Sequence, residues 1–96
     1  MSPFNDPATK RSEILALAAR YGCRDVRLFG SWALGTASPG SDVELLVDVE
    51  RGRSLLDIVG LCDDLADLLG CHVDVVTDGG LSPYLRERIY AEARPL

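Results

Sequence analysis

Gly30 and Ser31, followed by the acids Asp42 and Glu44, are the residues of this chain whose types and spacing can do chemistry. A Gly-Ser turn can hold a phosphate through backbone N–H groups and a short hydroxyl. Gly30 lets the backbone approach such a group closely. Ser41, directly before Asp42, can add a polar contact. Asp42 and Glu44 stand two apart on a strand, so both point to one face, about 7 Å apart along the backbone. Asp74 sits between valines in a later strand. If that strand lies beside the second in suitable register, its carboxylate joins the pair. Clustered oxygens of this kind suit Mg²⁺, which takes short, near-octahedral contacts and keeps waters. Two such ions about 3.5–4 Å apart clamp the attacking and leaving oxygens of a phosphoryl or nucleotidyl transfer. Without metal the acids repel each other, which favours protonation of one.

Each feature alone has an ordinary explanation. Gly-Ser pairs occur in many turns, and acids at strand ends commonly face water. Asp74 is harder to dismiss, because it interrupts an apolar strand. Asp57, Asp63, Asp64 and Asp67 fall on one helix, where such a run is normally a solvated face. His72 is the only histidine and can share a strand face with Asp74; a lone histidine is more often structural. Arg86 and Arg88 can contact a phosphate or a partner, with a solvated helix face as the plainer reading. Tyr84 and Tyr90 are candidate interface anchors.

The elements that must hold these residues follow from periodicity. Residues 1–8, with Pro3, Asn5, Asp6 and Pro7, read as a mobile leader, and residues 9–96 as one domain. Thr9 is the expected cap of a first helix carrying Ile14, Leu15, Leu17, Ala18 and Tyr21, ended by Gly22. Asp25 to Phe29 alternates polar and apolar, as a half-buried strand does. Gly30-Ser31 then turns the chain into a short helix stopped by Gly35, and residues 36–41 form a loop around Pro39-Gly40. Asp42 to Val49 is the second strand. Val43, Leu45 and Val47 face the core, and Leu46 on the acid-bearing side indicates that this side is partly covered too. Ser54 caps a helix with its buried stripe at Leu55, Ile58/Val59, Cys62, Leu65/Ala66 and Leu69, closed by Gly70. His72 to Thr77 is the third strand. Ser82-Pro83 opens a last helix lined by Leu81, Leu85 and Ile89. The order α-β-α-β-α-β-α makes an α/β (α+β) domain, a small mixed three-stranded sheet with packed helices. The direction of the first two strands is left open.

Composition narrows the function classes. The net charge is −5, and the ten basic residues, nine of them Arg, are scattered. A polyanion is repelled on average, so a nucleic-acid partner is disfavoured. No apolar run is long enough to span a bilayer, and no membrane association is expected. The three cysteines, Cys23, Cys62 and Cys71, lack metal-ligand spacing, and an odd number reads as free thiols of a cytoplasmic protein.

Taken together, these residues resemble the DNA polymerase beta superfamily of nucleotidyltransferases. Its motif is Gly-Ser, ten residues, then Asp-x-Asp or Asp-x-Glu, and ten residues separate Ser31 from Asp42 here. Within that superfamily the chain looks like the minimal nucleotidyltransferases, or MNT domains. The likeness extends over Gly52-Arg53-Ser54-Leu55-Leu56-Asp57, Val73-Asp74-Val75-Val76-Thr77 and Leu81-Ser82-Pro83-Tyr84-Leu85-Arg86-Glu87-Arg88-Ile89. The resemblance implies a polymerase-beta-like fold and an antitoxin paired with a HEPN-domain ribonuclease toxin. It implies transfer of AMP from ATP, with Mg²⁺, onto a tyrosine hydroxyl of that toxin. Asp42 and Glu44 would be metal ligands, and Asp74 a third carboxylate that helps activate the hydroxyl. With 96 residues there is no room for a further acceptor-gripping domain, so the acceptor is expected to be a separate protein at the sheet face. Self-association is left open.

Two departures from the family pattern stand out. The minimal enzymes usually carry Asp-x-Asp, whereas this chain has Asp42-Val43-Glu44. One extra methylene moves a carboxylate by roughly an ångström, a misplacement that can cost about 10²-fold in rate. Relatives often place Arg just after the Gly-Ser turn, where Trp32 and Leu34 stand here. Trp32 either packs beneath the turn or stacks on a base or partner. These departures motivate a second reading, in which the domain neutralises a toxin by contact alone.

Overall fold

The computed structural model describes residues 6–38 and 40–96. The Asp6 carboxylate accepts from the Ala8 N–H at 2.9 Å, and Pro7 takes the first helical position. A 3₁₀ turn, Pro7–Lys10, runs from there into helix α1, Arg11–Arg20. Thr9 is therefore not the cap; it lies inside the turn, its hydroxyl donating to the Asp6 carbonyl at 2.7 Å. Asp6 is the better start because the ring of Pro7 is pre-set for a helix and brings no N–H to satisfy. Of the residues read as a leader, 1–5 lie outside the described residues, and Pro7 is buried.

Strand β1, Cys23–Phe29, begins two residues earlier than its alternation indicates. The register explains why: Arg24 pairs with Asp48 and Arg27 with Leu46, so two residues of β1 face one of its neighbour. Asp25 sits in this bulge at φ 52°, a left-handed conformation that Asp tolerates better than most residues. The period-two pattern is broken there, which hides the start of the strand.

One helical turn, α2 (Ser31–Leu34), follows β1, and a loop leads to β2, Val43–Val49, antiparallel to β1. Helix α3, Leu55–Leu69, then carries the chain back to β3, Val73–Thr77, which pairs with β2 in parallel. Ser54 caps α3 through a capping box: its Oγ accepts from Leu56 N–H, and Asp57 Oδ2 accepts from Ser54 N–H at 2.9 Å. After a 3₁₀ turn, helix α4 (Pro83–Glu92) and a two-residue strand β4 (Arg94–Pro95) complete the chain. Among the described residues the sheet order is β3-β2-β1-β4, four strands rather than three. β4 pairs antiparallel with β1, and its Pro95 is tolerable because the strand is an edge.

The two faces of the sheet are covered unequally. Ile14 and Ala18 of α1 and Leu61, Leu65 and Leu69 of α3 bury one face against Val43, Leu45, Val47 and Val73. Opposite, among the described residues, Phe29, Leu46 and Ile89 form a smaller buried cluster, with Val76, Leu81, Tyr90 and Ala93 at its margin. Leu46 is thus covered by α4, as its place on the acid-bearing side requires. No helix among the described residues is long and apolar enough to cross a membrane.

Candidate active site

The acids meet because of strand direction. β2 and β3 run parallel, so both begin at the same end of the sheet, and β1, antiparallel, finishes there. Glu44 pairs with Asp74 and Phe29 with Glu44, which sets Gly30 and the acids side by side. Asp42 lies just before β2 and shares the parity of Glu44, on the α4 side. The carbonyl of His72 accepts from the Val43 N–H at 3.0 Å, so the lead-in to β3 is tied to the start of β2.

The structure gathers Asp42, His72 and Asp74, whose candidate ligand atoms all lie within 4.8 Å of one another. His72 Nε2 is 2.9 Å from Asp74 Oδ1. All three side chains are exposed, which leaves room for water or phosphate oxygens around them. Glu44 is not part of this group. Its carboxylate bends over the turn instead, so close to Gly30 that a Cβ there would lie 1.7 Å from Glu44 Oε2. Of the expected trio, Asp42 and Asp74 converge with the histidine, while Glu44, the register partner of Asp74 on the same cleft wall, turns its carboxylate toward Gly30. Burial pushes the Glu44 carboxyl above its ordinary value, and Asp74, Asp42 and Glu92 push the same way, with Arg88 opposing.

Gly30 caps α2 at φ 75°, ψ −152°, a combination essentially confined to glycine. Its carbonyl accepts from the Ala33 and Leu34 N–H groups, so the helical turn begins at the strand's end. Ser31 is the first residue of that turn. Trp32 is half-buried and packs against the main core, the first of its two expected placements. Ser41 is occupied locally: its Oγ accepts from the Ser38 N–H at 2.8 Å and tightens the loop before Asp42.

A cleft of about 530 Å³ opens beside Glu44 and Asp74. Gly30, Glu44 and Asp74 form part of its wall, while Leu85, Arg88 and Ile89 of α4 face them. Arg88 also pairs with Glu92 across one helical turn, at 3.4 Å. Arg86 and Arg27 both stand over the Tyr90 ring, at 5.5 and 5.6 Å, so Tyr90 anchors α4 to the sheet, while Tyr84 is 94% exposed. Of the four acids on α3, Asp57 completes the capping box and Asp64 accepts from the Tyr21 hydroxyl. Burial raises the thiols of Cys23, Cys62 and Cys71, so none is poised as a thiolate.

His72 lies with the two acids, where the reading of a lone histidine as structural did not place it. Its signal was its place two residues before Asp74, which puts both on one face of β3. The closeness of Gly30 and Glu44 had no sequence signal, since it depends on the β1–β2 register.

A carboxylate pair next to a Gly-Ser turn, at the edge of a nucleotide-sized cleft, is the equipment of a nucleotidyl-transferring protein. The chain belongs to the nucleotidyltransferase domain family, whose model matches residues 13–96. It is 38% identical over 76 residues to the protein adenylyltransferase MntA of Thermococcus cleftensis, covering 79% of this chain and 77% of that one. A solved structure of a candidate minimal nucleotidyltransferase shares 48% identity at TM-score 0.83, covering 93% of this chain and 91% of that one. A toxin–antitoxin crystal structure with AMP-PNP contains the same fold, at TM-score 0.77 and 23% identity, covering 88% of this chain and 69% of that one.

Proposed function

We propose that this nucleotidyltransferase moves AMP from ATP onto a tyrosine hydroxyl of a partner HEPN toxin and so acts as its antitoxin. The observation that carries the reading is the convergence of Asp42 and Asp74 beside the Gly30-Ser31 turn. Support for the acceptor class comes from likeness to a protein adenylyltransferase and to a toxin–antitoxin complex.

The chemistry is a substitution at the α-phosphorus. The tyrosine oxygen forms a P–O bond, the bond to the β-phosphate oxygen breaks, and pyrophosphate leaves. Asp74 is the base that takes the hydroxyl proton. The Gly30-Ser31 turn holds phosphate oxygens with its N–H groups and the Ser31 hydroxyl. The α4 wall of the cleft offers Leu85 and Ile89 to an aromatic ring and Arg88 to negative charge. Exposed carboxylates at Asp42 and Asp74 fit a hard divalent cation that keeps part of its water. Mg²⁺, when bound there, neutralises charge on the phosphates and orients them.

Incubation with labelled ATP, Mg²⁺ and a HEPN toxin tests the proposal. Label on a toxin tyrosine is the expected result. Absence of label, under conditions where the Glu44→Asp variant transfers it, would sink activity for this chain.

The Glu44 carboxylate, turned over Gly30 rather than toward Asp42, favours one alternative: neutralisation by contact. In that case Asp42→Ala protects cells from the toxin as well as the unaltered chain does.

A further inference from the structure

We propose that the outer face of α3, around Leu56, is a self-pairing surface that joins two copies of this chain antiparallel about a two-fold axis. The proposal does not rest on the transferase reading.

The first argument is apolar surface that the fold leaves uncovered. α3 buries Leu61, Leu65 and Leu69 against the sheet. At 3.6 residues per turn, Leu56 and Asp63 lie opposite that stripe. Leu56 is 80% exposed. Leu55 and Val59, expected within the buried stripe, are 76% and 48% exposed beside it. Single exposed leucines are ordinary on a protein surface, whereas three large aliphatic side chains gathered at one helix start form a patch.

The second argument is a groove beside the protruding leucine. A groove of about 490 Å³ runs between α3 and the ends of β2 and β3, with Val49, Leu55, Ile58 and Thr77 in its wall. It has room for a leucine side chain. A surface that carries both a projecting leucine and an apolar groove is complementary to itself, as a two-fold contact requires.

The third argument is charge and register. Arg51 and Asp63 are exposed, and among the described residues neither is in an ion pair. Arg53, by contrast, is held by Glu50 and Asp57. An antiparallel pairing that sets Leu55 of one copy level with Val59 of the other sets Leu56 level with the groove wall at Ile58. The same register brings Arg51 level with Asp63, twice by symmetry. A parallel pairing sets Asp63 against Asp63 and is repulsive. The net charge of −5 opposes association at long range, and physiological salt screens it. The patch is small beside the roughly 800 Å² per partner of a standard interface, so the pair is weak, with Kd about 10–100 µM. The groove lies at the ends of β2 and β3, whereas Asp42 and Asp74 stand at their starts, so pairing leaves both clefts open.

Sedimentation equilibrium of the full chain alone, from about 1 µM to about 500 µM, tests the proposal. A reversible monomer–dimer equilibrium is expected. Leu56→Glu should weaken it at least about tenfold, because a charge then enters the apolar contact. Leu56 is mostly exposed in the single copy, so this variant should keep the parent's circular dichroism and melting temperature in dilute solution. Arg51→Glu and Asp63→Arg should each weaken the dimer, and the double variant should recover most of the loss. A chain that stays monomeric at every concentration overturns the proposal. So does a dimer that Leu56→Glu leaves intact, or a double variant no tighter than either single one. A monomeric chain whose binding to a HEPN toxin falls with Leu56→Glu assigns the face to the toxin and also overturns self-pairing.

Discussion

The two faces of the sheet divide stability from chemistry. The α1/α3 face is closed by fully buried aliphatic residues, among them Ile14, Leu45, Leu61 and Leu65. The α4 face has a buried cluster of three and then opens into the cleft where Glu44 and Asp74 stand. β2 serves both: Val43, Leu45 and Val47 point into the closed face, Glu44 and Leu46 into the open one. A domain this small can place like charges together because one face alone carries most of its apolar burial. The acids repel each other without a cation, a cost that the closed face offsets.

The largest expected effect belongs to the open face. Asp42→Asn should lower AMP transfer by about 10³-fold, equivalent to about 4 kcal/mol of transition-state stabilisation. Its melting temperature should not fall, since Asp42 is exposed and is one of the charges acting on Glu44. A large drop in melting temperature would mean that the division between faces is wrong. Leu65→Ala is the mirror case. Leu65 is fully buried between α3 and the sheet, and its truncation should cost about 3 kcal/mol in denaturant unfolding. The protein that remains folded should transfer AMP at the normal rate. Ile89→Ala, on the thinner α4 cluster, should cost less globally and speed hydrogen exchange mainly in α4.

The closed face was largely legible in the sequence, and the open face less so. The stripe through Leu61, Leu65 and Leu69 and the alternation of Val43, Leu45 and Val47 are periodic signals, and each points into the core. The caps at Ser54 and Ser82-Pro83 are local chemistry, readable over four residues. β4 carries too little pattern to be seen: two residues, one of them proline, recruited by the edge of β1. The bulge at Asp25 broke the alternation that would have marked the start of β1. At the site, Asp42 and Asp74 were found because strand parity aims them. Where Glu44 ends depends on a rotamer and on a neighbouring strand's turn, which parity does not determine.

Gly30 is where the two faces' demands meet, and its substitution comes next in size. Gly30→Ala meets two obstacles, a backbone conformation reserved for glycine and the carboxylate of Glu44. It should destabilise by about 2 kcal/mol. Pairing it with Glu44→Ala removes the collision and leaves the backbone strain, so the double variant should recover only part of the loss. Full additivity in that cycle would mean that the Glu44 carboxylate does not occupy the space above Gly30.

The smallest effect separates the faces by pH. The Glu44 carboxyl is raised above its ordinary 4.5 by burial first and by Asp74 and Asp42 after that. The folded protein therefore holds a proton that the unfolded chain releases more readily. Stability from this source is complete below about 4.5 and is lost as pH climbs through the raised value. At neutral pH the charged Glu44 opposes folding. Glu44→Gln should thus raise the melting temperature of the metal-free protein at pH 7 and leave it almost unchanged at pH 4. A divalent cation should shrink the gain, because the parent's charges are then compensated. A gain of equal size at both pH values would trace it to packing rather than charge and remove Glu44 from the electrostatics of the open face.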